Sequence, residues 1–145
     1  MPAILGVPLP LPALFLAAVI GISDGDTLTV LRDQQPVKIR LAEIDSPEKK
    51  QPFGTRSRQA LSDLCYGVQA EVRPVTRDRY GRTVAHITCK GIDASREQVR
   101  VGMAWVYDRY NSDRALYELQ TKAQAGKVGL WADPQPVAPW EYRRR

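Results

Sequence analysis

The chain has one histidine, His86, in 145 residues, and two cysteines, Cys65 and Cys89. One histidine cannot supply the acid–base pair of a two-histidine hydrolase, nor a histidine-rich metal site. It lies in an alternating stretch, Val84, His86 and Thr88 against Thr83, Ala85 and Ile87, that reads as a strand, so a structural role is the simpler reading. The cysteines lack metal-motif spacing, and their even number leaves either one disulfide or two buried thiols. Charge is missing from residues 1–23, where the apolar run 9–18 ends in small residues like the core of a signal peptide. No lysine or arginine precedes that run, and it flows directly into a first strand. Export, to the periplasm or the medium, is the expectation. Pro2, Pro8, Pro10 and Pro12 interrupt the segment, so stable membrane association is not expected.

What is present points to one globular domain. The hydrophobic fraction is 43% and the charged fraction 26%, enough to bury a single core. Net charge is +5, and fifteen of the 21 basic residues are arginine, whose planar fork suits phosphate oxygens. A polyanionic partner is consistent with this, and so is an ordinary solvated basic surface.

Residues 18–22 and 27–31 read as strands separated by Ser23, Asp24, Gly25 and Asp26, a hairpin with carboxylates at its tip. Val37, Ile39 and Leu41 alternate with Lys38 and Arg40, which turns Arg40 away from the core side. Residues 45–54 form a loop with two prolines. Ala60, Leu61 and Leu64 have helical spacing, ended by Gly67. Strands follow at 68–72 and 84–89, joined by a turn over 77–81. Ser95 with Gln98 resembles a capping box, and Asp113 is placed to cap a helix carrying Leu116, Leu119 and Ala123. Five strands, then helices, predict an α+β fold: a five-stranded, OB-like Greek-key barrel with about three helices. The expected divisions are an apolar segment at 1–17, the domain at 18–133, and an extended Pro/Arg-rich tail at 134–145.

Asp24-Gly25-Asp26-Thr27 places two carboxylates on a tight turn, and Asp45-Ser46-Pro47-Glu48 brings two more into a loop. Hard oxygen donors without nearby histidine or cysteine favour calcium or magnesium over zinc, copper or iron, and an irregular carboxylate–carbonyl loop leans towards calcium. Arg40 and Arg82 are permanently charged forks that could converge on one phosphate. Phosphodiester hydrolysis needs such charge, because its transition state gathers negative charge on the equatorial oxygens. Glu48, with no stronger claim as a ligand, is the candidate for activating water.

The ordered set Asp24-Gly25-Asp26-Thr27, Arg40-Leu41, Asp45-Ser46-Pro47-Glu48 and Tyr80-Gly81-Arg82, with the late pair Leu130-Trp131, resembles the staphylococcal (micrococcal) nuclease family. The resemblance implies a Ca2+-dependent nuclease that cleaves DNA and RNA to 3′-phosphate ends, as a monomer. It implies Arg40, Glu48 and Arg82 as the catalytic trio. Asp26 and Asp45 are implied as calcium ligands, Ser46 contributing its carbonyl and Asp24 acting through water. Arg79 and Tyr80 match contacts to a terminal phosphate, Lys49 stays close to the site, and Tyr107, with Trp105 nearby, offers a stacking face for a base. A core role for Trp105 fits equally well. The loop after Glu48 is shorter than in the founding member, which predicts a tighter loop. Against the family's fold, a Cys65–Cys89 disulfide is expected.

Two other readings compete. A magnesium-dependent, restriction-type nuclease would use Glu48-Lys49-Lys50 with Asp26 or Asp45, but that pattern belongs on a core strand and Pro47 and Pro52 bracket a loop here. A silent nucleic-acid-binding module of the same barrel type gives no reason to keep Glu48 beside two acids and two arginines.

Overall fold

The computed structural model describes residues 13–108 and 113–145. Five long strands make the barrel: β1 (Phe15–Asp24), β2 (Thr27–Arg32), β3 (Gln35–Leu41), β5 (Gln69–Arg77) and β6 (Thr83–Cys89). β4 (Ile44–Asp45), β7 (Ile92–Asp93) and β8 (Trp105–Val106) have two residues each. The helices are α1 (Gly54–Cys65), α2 (Ala94–Arg100), α3 (Ala115–Ala125) and α4 (Pro139–Tyr142), with a 3-10 turn at Gly129–Ala132 before the last.

Pairing runs β3-β2-β1-β5-β6-β7, and a parallel β3–β6 ladder closes the barrel. Closure satisfies the two sheet edges that would otherwise be open. The alternation read in the sequence becomes inside and outside: Leu28, Val30, Ile39, Leu41, Val72, Ala85 and Ile87 are all fully buried. Leu61 and Cys65 of α1, and Val99 of α2, cap this core. A smaller cluster, Ala123, Leu130 and Trp131, packs with Phe53 and Trp105 beneath the C-terminal segment.

Cys65 and Cys89 meet where α1 ends and β6 ends, with Cα atoms 5.4 Å apart, inside the range that a disulfide spans. His86 is a strand residue whose Nε2 lies 3.4 Å from Oε1 of Glu43.

Three local expectations are corrected. Ser95 and Gln98 are not a capping box. Both are buried, and their side chains cross to other elements: Ser95 Oγ donates to Ala42 O, and Gln98 Nε2 donates to Gly25 O and Ser57 O. Asp93 caps α2 instead, accepting from Arg96 N. The first strand starts at Phe15, earlier than residue 18, since Phe15 pairs with Val72. The tail is not extended throughout: Pro139 opens the short helix α4, its fixed φ and missing N–H suiting a first helical turn. Among the described residues no helix is long and apolar enough to cross a membrane.

Candidate active site

The site forms where the β1–β2 turn, the end of β3 and the loop after β4 meet. Gly25 allows that meeting. A Cβ at this position would strike Ser57 Oγ and lie 2.9 Å from Ser46 Cβ, so only glycine lets the turn seat against α1 and the β4 loop. Asp26 follows, 5% exposed, and its Oδ2 accepts from the backbone N–H of Ser46 at 2.8 Å. That bond joins two loops twenty residues apart in sequence.

Arg40 lies between the two acids. Its Nη1 donates to the carbonyls of Leu41 (2.9 Å) and Ile44 (2.8 Å) and lies 3.4 Å from Asp26 Oδ2. Its Nη2 is 3.5 Å from Asp45 Oδ1. Carbonyl anchoring fixes this guanidinium before any ligand arrives, so its charge is preorganised. In the parallel register Arg40 faces Val84. Arg82 lies in the turn just before β6, two residues ahead of Val84. Its Nε donates to Asp78 Oδ2 at 2.7 Å, and Asp78 also accepts from the N–H groups of Tyr80 and Arg82. Burial works to raise Asp78, yet these hydrogen bonds and the Arg82 charge hold its carboxyl below the usual range.

The acids divide electrostatically. Burial, with the Asp26 charge, pushes Asp24 up to about 7. Burial opposes ionisation of Asp26 as well, but Arg40 and the hydrogen bonds from Asp24, Ser46 and Thr27 outweigh it and keep this carboxyl low. Burial raises Asp45, and the hydrogen bond from Arg143 offsets part of that rise.

Glu48 is half-exposed at the rim. Its loop is held by internal hydrogen bonds: Gln51 N donates to Glu48 O, Gly54 N to Gln51 O, and Glu48 N to Gln51 Oε1. Gly54 has to be glycine, since a Cβ there would collide with Glu48 O.

Lys49, Arg79 and Tyr80 are exposed. The Arg79 guanidinium lies 5.1 Å from the centre of the Tyr80 ring and donates to its hydroxyl at 2.9 Å. Trp105 is half-buried against Trp131, ring centres 4.5 Å apart, so it belongs to the second core cluster. The Tyr107 ring lies 5.6 Å from that of Trp140, inclined by 33°.

Asp26, Asp45 and Arg40 are thus brought together, with Glu48 at the edge, while Arg82 is held by Asp78 in the turn that leads into β6, the strand paired with that of Arg40. Sequence reasoning missed Gln51, Gln98 and above all Arg143, whose guanidinium contacts Asp45 and Glu48. Pro139 was the available signal, since proline is favoured at the first position of a helix.

Among the described residues no group of three or more His, Cys, Asp or Glu side chains gathers as a metal cage. The two buried carboxylates that converge on Arg40, Asp26 and Asp45, are hard oxygen donors, the type that a hard cation takes together with carbonyl oxygen and water.

A family model described as "Staphylococcal nuclease homologue" matches residues 38–133. An uncharacterized endonuclease of Haemophilus influenzae is 44% identical over 128 residues, 88% of this chain and 72% of that protein. A micrococcal nuclease of Shigella flexneri is 39% identical over 152 residues, 97% of this chain and 87% of that protein. Protein ParB of Escherichia coli is 40% identical over 153 residues, with 98% and 86% covered. With the closed barrel and the acid–arginine site already in place, the chain belongs to the staphylococcal nuclease family of phosphodiester hydrolases.

Proposed function

We propose that this nuclease is calcium-dependent, cleaves both DNA and RNA, and leaves 3′-phosphate ends. The observation that carries this reading is the pair of buried carboxylates, Asp26 and Asp45, sharing one carbonyl-anchored arginine, with Glu48 at the open side. Asp26 and Asp45 would hold the cation with the Ser46 carbonyl, and Asp24 would act through water. Bound there, calcium supplies positive charge against the reacting phosphate.

The chain's own groups have separable tasks. Glu48 takes the proton of the attacking water. The water oxygen bonds to phosphorus and the P–O5′ bond breaks, the 5′ oxygen leaving with the electron pair and taking a proton from solvent to become a hydroxyl, while the phosphate stays on the 3′ side. Arg40 and Arg82 stabilise the charge that grows on the equatorial oxygens, an effect that lowers the barrier only insofar as it exceeds ground-state binding. Arg79 and Tyr80 contact a terminal phosphate, Lys49 adds attraction near the loop, and Tyr107 offers a ring for a base. A monomer suffices for this chemistry. The reading also includes export and an oxidised Cys65–Cys89 bond, which are mutually consistent because disulfides persist in oxidising compartments.

The deciding assay incubates DNA and RNA with calcium, magnesium or chelator and identifies the product ends. Calcium-supported cleavage to 3′-phosphates is expected. Magnesium-dependent 5′-phosphates would favour the restriction-type chemistry, and binding without cleavage a silent module.

A further inference from the structure

The C-terminal segment folds back over the site. Gln51 ties it down: its Nε2 donates to Val137 O at 2.6 Å, while its Oε1 accepts from Glu48 N at 3.0 Å. Ala138 and Pro139 are buried, and the Trp140 ring packs against Trp105 (5.7 Å, edge-on) and Tyr107. One turn further, Arg143 reaches the acids. Its Nη2 lies 2.8 Å from Asp45 Oδ2, and its Nη1 lies 3.2 Å from Asp45 Oδ1 and 2.7 Å from Glu48 Oε1.

Resting on the calcium reading of Asp45, we propose that Arg143 is an internal competitor for the cation site, delivered by the docked tail. A guanidinium using both oxygens of Asp45 leaves them no room to coordinate a hard cation. The same contact engages the Glu48 carboxylate at 2.7 Å, so that this oxygen is not free to hold a water. Cation binding must therefore break the Arg143 contacts, and doing so releases Glu48 in the same event. The contact can be reversed from its solvent side, because the Arg143 side chain stays 44% exposed while Asp45 is buried, so the guanidinium can leave into water when another cation takes its place. Docking by Trp140 and Gln51 keeps the side chain at high local concentration beside Asp45.

The test is calcium titration by calorimetry on the full chain, R143A, R144A and W140A, without nucleic acid. R143A should bind calcium about three- to tenfold more tightly, the factor expected for losing a competing ion pair with one exposed partner. R144A removes the same charge one residue away and should bind within about twofold of the parent. W140A should move in the direction of R143A, and tryptophan fluorescence of the parent should change on calcium binding. Equal or weaker binding by R143A would overturn the competitor role while leaving the calcium site intact. An equal gain in R144A would also overturn it, showing only a general charge effect. Absence of calcium binding in all four proteins would overturn the calcium reading and the competitor with it.

Discussion

Glu48 and Asp78 show how the same chemical group takes on different work from its neighbours. Glu48 sits at the rim, where a water and a phosphate have access, so Glu48→Gln should lower kcat by about 10²- to 10⁴-fold with modest change in substrate affinity. Turnover at the parent rate under saturating calcium would remove Glu48 from the role of base. Asp78 instead holds Arg82, through its side chain and two N–H groups. Asp78→Asn should lower kcat more than it raises KM, because it loosens a group that acts in the transition state. Its pH signature follows from the depressed carboxyl. A folded value below the unfolded one contributes stability that is present above about pH 4 and lost as pH falls through the folded value. The contribution is below about 1 kcal/mol because the pair is partly exposed. Acid titrations of stability for parent and D78N, compared below pH 4, measure it.

At the scale of elements, the site depends on two loops being held against one another. Gly25→Ala should destabilise the fold by about 1–3 kcal/mol, the cost of overpacking. It should also weaken calcium binding, since the new Cβ drives the Asp26 turn away from Ser46. Denaturation midpoints and a calcium titration together distinguish this from a stability effect alone. The Cys65–Cys89 contact joins the end of α1 to the end of β6 across a separation of 24 residues. In the chain-entropy model an oxidised bond there stabilises by about 3 kcal/mol. Loss of a comparable amount in the C65S/C89S double variant, with two thiols absent from the unfolded, unreduced parent, would bear this out. The five long strands were legible because period-2 alternation survives as inside and outside of one barrel. Ser95 and Gln98 were misread because a capping box and two buried crossing side chains have the same local spacing. Only the packing of α2 against Ala42, Gly25 and Ser57 separates the two.

The whole molecule carries a +5 charge, and its affinity for nucleic acid should fall linearly on a logarithmic salt scale. Arg79→Ala should weaken that affinity and reduce the salt slope by about one, as expected when a single phosphate contact is lost. Binding assays over a range of salt concentrations, with calcium withheld to prevent cleavage, supply the measurement.

Ordered motifs and strand alternation in the sequence determined the barrel, the family, and which acids and arginines to watch, because those signals are local: a turn's residue types, a strand's period, a loop's donor chemistry. Tertiary structure alone decided what those side chains touch. Arg40 is anchored on two carbonyls, Asp26 is locked to the Ser46 N–H, and Arg143 arrives on Asp45 and Glu48 from 98 and 95 residues away. No local pattern encodes a contact of that separation. It exists because a proline-started helical turn buries Ala138 and Pro139 and packs Trp140 on an aromatic cluster, and the next turn of chain then reaches the acids.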